Sequence, residues 1–388
     1  MKRTLTHLPQ SEYVRNLPPY PFAHLDTLRR EVEARGVDVI DLGMGDPRQP
    51  MPAFAKEALA KSLPDRSSYP RAVGLESLRE SVAGWISRRF GVDVCPATEV
   101  LPTNGSKEAI FTLPLAVLDR KERPVTLVPD PGYPVYALGV EAFGGEVYRV
   151  PLEAKNGFLP DLGAVPDRVW PRASLLWVNY PNNPTGATAS TEFFANAAAR
   201  CREHGVVLAS DEAYSEIYYD DPPPSALAAG TENVIVFHTL SKRSGLPGFR
   251  SGFMAGDARL IEAQKRIRPA LGVATPQFIQ EVGGAAWGDE AHVEAVRERF
   301  RRNRDLALAS LREAGFNVPH VPATFYVWLP VPGAETSESF AERCLNAGVV
   351  VVPGTALGSG GEGYVRISLT VEPDILQEAL ARLARLSV

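Results

Sequence analysis

An α/β fold is what this 388-residue sequence predicts: a large domain with a mainly parallel sheet flanked by helices, plus a smaller α+β domain. Three observations lead there. Four short apolar runs, VTLVPD ending at Asp130, LLWVNY ending at Tyr180, VVLASD ending at Asp211 and VIVFHT ending at Thr239, read as buried strands. Helical stretches such as Thr191 to His204 lie between them, and that alternation suits a parallel sheet covered on both faces. After residue 288 the pattern changes to a long charged helix followed by short strands.

Each strand run ends on a polar residue, and in open α/β sheets ligands bind outside the carboxyl ends of the strands. Chemistry is therefore expected just past Asp130, Tyr180, Asp211 and Thr239. In the tail, Ala291 to Ala314 is expected as a helix. Thr324–Leu329, Gly348–Val352 and Tyr364–Leu369 are expected as strands, and Asp374 to Leu386 as a closing amphipathic helix. The expected division is an N-terminal arm with part of the small domain over 1–45, the large domain over 46–288 and the small domain over 289–388.

Composition excludes several classes. With 45% hydrophobic and 22% charged residues the chain has ordinary globular values. A net charge of -5 and a pI near 5.8 give nothing to attract a polyanion, so nucleic-acid binding is not expected. Cys95, Cys201 and Cys344 lie far apart and form no CxxC, which suits a reducing cytoplasm. The opening MKRTLTHLPQSEYVRNLPPYPF has no apolar run of signal-peptide length, and no run of about 18 apolar residues suggests a membrane span. The six histidines do not pair at helical spacing, so no metal site is expected.

Six motifs carry possible chemistry, and each alone also reads as an ordinary turn or cap. In TNGSKEA, Gly105, Ser106 and Lys107 precede a helix, whose free amides and positive end suit a phosphate. In PGYPVY, Tyr133 would set an aromatic face at the sheet top. In NNPTG, a rigid turn could aim the Asn183 amide at a ring oxygen or a carboxylate. In DEAY, Asp211 at a buried strand end needs a cationic partner, which a pyridinium nitrogen would supply; Tyr214 follows it. In TLSKRSGLPGFRSG, Lys242 at a strand end can lose its proton by desolvation. Around it Thr239, Ser241 and Arg250 offer donors for a phosphate. In YVRISL, Arg366 inside an apolar strand calls for an anion. Two glycine clusters are set aside. Gly43-Met44-Gly45 lacks the third glycine of a dinucleotide fingerprint. GSGGEG at 358–363 lacks the Lys-Ser/Thr of a P-loop and reads as a flexible turn.

The order of these motifs, from LGMGDP near Asp46 to YVRISL near Arg366, resembles the fold-type I pyridoxal-phosphate enzymes, specifically the class I/II aminotransferases. FHTLSKRSGLPGFRSGFMAGD, DEAYSEIYYDDPPP and AAWGDEAHV are most similar to succinyldiaminopimelate transaminases of lysine biosynthesis. The resemblance implies a pyridoxal 5′-phosphate cofactor carried by Lys242 as a Schiff base, with the same lysine shuttling the substrate proton. It implies Asp211 on the pyridine nitrogen, Tyr214 and Asn183 on the ring oxygen, and Tyr133 stacked on the ring. Gly105, Ser106, Lys107, Thr239, Ser241 and Arg250 would hold the phosphate. Arg366, the Gly45 backbone and Asn183 would hold the substrate α-carboxylate. Tyr69 matches a position that reaches the partner subunit's phosphate, so a homodimer with shared sites is implied.

The expected reaction is amino transfer between an amino acid and a 2-oxo acid, with N-succinyl-diaminopimelate and 2-oxoglutarate favoured. Arg71 and Arg48 are candidates for a distal carboxylate but stay outside the site proper. An aspartate- or alanine-type aminotransferase and a C–S lyase remain open. A regulator with an aminotransferase-like domain would need an N-terminal DNA-binding module, for which 45 residues before Asp46 are too few.

Overall fold

The computed structural model describes residues 10–17 and 23–386. Most of the opening stretch where no leader is expected lies outside them, as does His7. Twelve strands are present among the described residues. In chain order they are β1 Ile40–Asp41, β2 Val100–Thr103, β3 Val125–Asp130, β4 Glu146–Pro151, β5 Ala173–Asn179, β6 Val207–Asp211, β7 Val234–Thr239, β8 Gly252–Gly256, β9 Tyr326–Pro330, β10 Val349–Val350, β11 Val352–Pro353 and β12 Tyr364–Ser368.

Seven strands form the main sheet in the order β2-β8-β7-β6-β5-β3-β4. Pairs among β7, β6, β5, β3 and β4 are parallel, and β8 runs antiparallel to both β7 and β2. Every residue of β3, β5 and β7 is buried, as a sheet covered on both faces requires. On one face Trp85 and Phe253 pack against the His238 ring and Trp287 packs against both of them, with centroids 4.7 to 5.9 Å apart. Burying each such aromatic stabilises the fold by about 2–3 kcal/mol. Parallel alignment sets Asp130, Asn179, Asp211 and Thr239 along one edge of the sheet.

The remaining strands form an antiparallel sheet β11-β12-β9 and a parallel pair β1-β10. Helices Ala291–Glu313, Ser337–Asn346 and Pro373–Ala384 supply Phe300, Leu311, Phe340, Cys344, Leu376 and Leu380 to this second core. Tyr214, Ile217 and Tyr219, from the chain after β6, are buried in the same cluster.

Several elements depart from expectation. β5 ends at Asn179 rather than Tyr180. The run Gly348–Val352 divides, because Val349–Val350 pairs with β1 while Val352–Pro353 pairs with β12. The 358–363 stretch is hydrogen-bonded to the main sheet instead of hanging as a flexible turn.

Candidate active site

A cavity of about 370 Å³ opens at the carboxyl edge of the main sheet, facing β9 and β12. It is lined by Gly45, Ser106, Lys107, Tyr133, Asn183, Asp211, Tyr214, Thr239, Ser241, Lys242, Arg250 and Arg366, all from the motifs singled out above.

Lys242 sits on the short helix Leu240–Arg243 that follows β7. Its Nζ donates to the Gly45 carbonyl oxygen and lies 5.4 Å from the Phe325 ring centre. Desolvation holds the Lys242 amine below its usual range, partly countered by Tyr326 and Asp46. A larger share of neutral, nucleophilic amine follows.

Asp211 ends β6. Its carboxylate accepts the Tyr136 hydroxyl at 2.8 Å and the Ala213 amide at 3.2 Å. Both donors are neutral. Burial therefore pushes the carboxyl up to about 6, despite those hydrogen bonds. A buried carboxylate with only neutral donors suits a ligand that brings a positive N–H. Tyr136 is itself fixed by stacking on Trp177, 4.9 Å away at 17°. Asn179 donates to the Asp211 carbonyl at 2.7 Å and accepts from the Asn183 amide at 2.9 Å, tying two strand ends together.

The residues expected to hold a phosphate gather at the start of helix Ser106–Val117 and beside Lys242. Gly105, with φ +73°, turns the chain into helix Ser106–Val117. A Cβ on Gly105 would come within 2.5 Å of the Arg250 guanidinium. Arg250 itself holds φ +48°, a strained value for a non-glycine residue. It donates to the Asn104 and Pro247 carbonyls, both at 3.1 Å. Ser106 and Lys107 stand at the positive end of the helix, and Thr239 and Ser241 share a hydroxyl contact of 3.0 Å beside them. Glu108 accepts the Asn104 amide at 3.0 Å and the buried Arg268 at 2.7 Å, which fixes this first turn.

Arg366 extends from β12. It donates to Asn183 Oδ1 at 2.8 Å and to the Gly43 carbonyl at 2.9 Å, over the Tyr326 ring at 4.3 Å. Its buried Nε–H has no hydrogen-bond partner among the described residues. A substrate carboxylate fits such a half-satisfied guanidinium.

Tyr214 and Tyr326 touch through their hydroxyls at 3.1 Å, and burial raises the Tyr214 hydroxyl well above its usual range. A Cβ on Gly45 would overlap the Tyr326 hydroxyl, so the residue there must be small.

Tyr69 is fully exposed and is not brought into the cavity of its own chain. Arg71 is exposed too, and Arg48 turns toward Asp41 at 3.9 Å. Sequence reasoning missed Tyr136, Asn179, Tyr326, Asp46 and Leu357, all of which line the cavity. Tyr136 follows Tyr133 at helical spacing, which was an available signal; Tyr326 in TFYVWLP looks like ordinary core.

The family model for aminotransferase class I and II matches residues 37–383. An LL-diaminopimelate aminotransferase of Desulforudis audaxviator is 46% identical over 96% of this chain and 97% of that protein. One of Moorella thermoacetica is 42% identical over 97% and 98%. Among solved structures, an aspartate aminotransferase mutant of Thermus thermophilus superposes with a TM-score of 0.91 at 31% identity, covering 98% of this chain and 100% of that one. A probable N-succinyldiaminopimelate aminotransferase of Thermus thermophilus reaches 0.88 at 31%, over 94% and 99%.

Proposed function

The chain belongs to the class I and II aminotransferases and is a pyridoxal-phosphate-dependent transaminase, and on that premise we propose that it takes the amino group of LL-diaminopimelate, with 2-oxoglutarate as acceptor, in lysine biosynthesis. One observation carries the chemistry: Lys242, Asp211 and Arg366 meet in a single cavity beside a phosphate seat.

The cofactor, when bound, supplies an electron sink for the pair left when a substrate loses its Cα proton. Asp211 would hold the ring N–H, kept in place by Tyr136 and the Ala213 amide. Ser106, Lys107, Thr239, Ser241 and Arg250 would hold the phosphate, with Gly105 leaving room for them. Tyr133 would cover the ring face, and Asn183 and Tyr214 would meet its oxygen. Arg366, braced by Asn183 and Gly43, would orient the α-carboxylate so that Cα–H points at Lys242. The Lys242 amine, held below its usual pKa range by burial, would take that proton at Nζ.

LL-diaminopimelate as donor is favoured by near full-length relatives of that name at 42–46% identity. N-succinyl-diaminopimelate is the second reading, favoured by the stretches quoted earlier and by the 31% identical structure of that description. Steady-state kcat/KM over both donors, aspartate and alanine separates these readings. If aspartate or alanine exceeds both diaminopimelates by about ten-fold, about 1.4 kcal/mol, the donor assignment fails while amino transfer stands. Pyruvate and ammonia released from a cysteine-type substrate without acceptor would point instead to a lyase.

Arg366→Ala is expected to weaken α-carboxylate substrates by about 2–5 kcal/mol, the scale for losing one member of a buried charge pair. Amines without a carboxylate should lose far less in the same kcat/KM assay. Equal losses would make Arg366 structural.

We further propose a cytoplasmic homodimer. None of the described helices is long and apolar enough to cross a membrane, and Cys95, Cys201 and Cys344 are free. Tyr69, with no role in its own cavity, would serve the partner's phosphate seat. Light scattering should return twice the chain mass. Mixing inactive Tyr69→Phe and Lys242→Ala chains should restore activity in sites that draw both intact residues; no recovery despite proven subunit exchange would make the sites self-contained.

A further inference from the structure

The 358–363 stretch plays no part in the chemistry above, yet it is stitched to the main sheet next to the cavity. Asp130, the last residue of β3 and 5% exposed, accepts the Ser359 hydroxyl at 2.8 Å and the Gly360 amide at 3.0 Å. Two residues on, the Gly132 amide donates to the Leu357 carbonyl at 2.8 Å. The fit leaves no room for side chains. A Cβ on Gly358 would overlap the Asp130 carboxylate, and one on Gly360 would come within 2.6 Å of the Asp130 carbonyl. Gly354 and Gly361 pack backbone to backbone so closely that a Cβ on either would overlap the other's carbonyl. From the other side, Ser337 Oγ accepts the Gly363 and Tyr364 amides at 2.9 and 3.2 Å.

Asp130 has no cationic partner among the described residues, so a hydroxyl and an amide of this one loop satisfy its buried charge. The loop in turn holds Leu357, which is 4% exposed, packs with Trp328 and Val352, and lines the cavity. Tyr133, three residues beyond Asp130, lines the same cavity. Two walls from distant parts of the chain are thus held in register by the Asp130 carboxylate and the Gly132–Leu357 backbone bond.

We propose that Asp130 is a positioning residue that clasps loop 357–361 to the end of β3, and that Leu357, so placed, is the specificity-determining wall for the substrate side chain beyond Arg366. The inference rests on the amino-transfer reading of the site but not on which amino acid is the donor. An apolar wall meets the methylene stem of a long donor and has little to offer a methyl group. Donors with long stems therefore gain most from the clasp.

The test uses the holoenzyme, with two readouts: hydrogen exchange of the 358–361 amides, and steady-state kinetics for alanine, aspartate, glutamate and LL-diaminopimelate. Asp130→Ala should speed exchange at Gly360 about ten-fold or more, since the acceptor of that amide goes together with the Ser359 bond that holds the loop. It should raise KM for the long donors by about ten-fold, leave their kcat within about two-fold, and spare alanine. Asp130→Asn should restore both readouts, because its Oδ1 still accepts from Gly360 and its Nδ2 donates to Ser359. Leu357→Ala should reproduce the length-selective KM change.

Unchanged exchange in Asp130→Ala overturns the clasp. Faster exchange with donors affected equally, or not at all, overturns the wall. An Asp130→Asn enzyme as impaired as Asp130→Ala would mean that the charge acts rather than the hydrogen bonds, which also overturns it. Should Asp130→Ala fail to fold, Ser359→Ala removes one of the two bonds and should give the same pattern at smaller amplitude. If wild-type protein transfers no amino group from any donor, the functional reading falls, while the exchange data still decide the clasp.

Discussion

Lys242→Ala is expected to abolish turnover while leaving the fold and the cavity intact. The loss should reach at least the ~10²–10⁴-fold that a positioned proton-transfer group contributes. It should be larger still, because the same Nζ is the nucleophile proposed for the cavity. Lys107 also lines the cavity, on the first turn of helix Ser106–Val117. Among the described residues, only Lys242 combines a desolvated amine with a place beside Arg366 and Tyr326. Borohydride treatment of wild-type holoenzyme, followed by peptide mapping, should leave the cofactor on the peptide that contains Lys242. A label on Lys107 would end the assignment. Added primary amines should return a small part of the activity to Lys242→Ala, since they can take up the missing proton transfer.

Asp211→Asn is expected to move activity and stability in opposite directions. Activity should fall about 10²–10³-fold, the scale for removing one preorganised electrostatic partner. The cofactor-free chain should become more stable at neutral pH. Its carboxyl is raised by burial to about 6 from 3.8, so keeping it ionised costs on the order of 3 kcal/mol. The amide avoids that cost but keeps only one of the two acceptor bonds cleanly, so a net gain of about 1–2 kcal/mol is expected. The sign with pH follows. Between about pH 4 and 6 the folded cofactor-free chain holds a proton that the unfolded chain has released. Asp211 thus favours the folded state most at the acid end of that window, and the benefit is lost as pH rises through about 6. The stability difference between Asp211→Asn and wild type should grow over that window and level off above it, as read from urea midpoints. A difference independent of pH would show that Asp211 already has a cation in the cofactor-free chain.

Much of the cavity lining was legible because it stands at or just past the places where strand runs stop. β3, β6 and β7 end on the expected Asp130, Asp211 and Thr239, and an apolar run closing on a polar residue needs no partner to be recognised. Strands β2, β4 and β8 were not recognised, each for a local reason. β2 (VLPT) contains a proline, β4 (EVYRVP) is a half-exposed edge, and β8 (GFMAG) is rich in glycine. Their pairing comes from neighbours distant in the chain, which no window of sequence contains.

The same limit applied in the site. Tyr136 and Tyr326 look like core tyrosines until Asp211 and Tyr214 are placed against them. Asn179 reads as the end of an apolar run until β6 lies alongside it. The glycines of 358–363 suggested slack, because what makes them necessary is Asp130, 230 residues earlier in the chain at Gly360.

The neutral company of Asp211 has a consequence for supply. A cavity that holds a carboxylate with neutral hydrogen-bond donors is weakest when nothing occupies it, and in the proposed role an incoming cationic ring would both remove that weakness and add its own binding energy. Cofactor then acts as a folding ligand, stabilising the chain by RT ln(1 + [L]/Kd), about 2.7 kcal/mol at a concentration a hundred times the dissociation constant. A cell short of cofactor would lose the enzyme twice, first as idle chains and then as chains that unfold and are degraded. The melting temperature of protein drawn straight from cells would serve as a gauge of how well they are supplied.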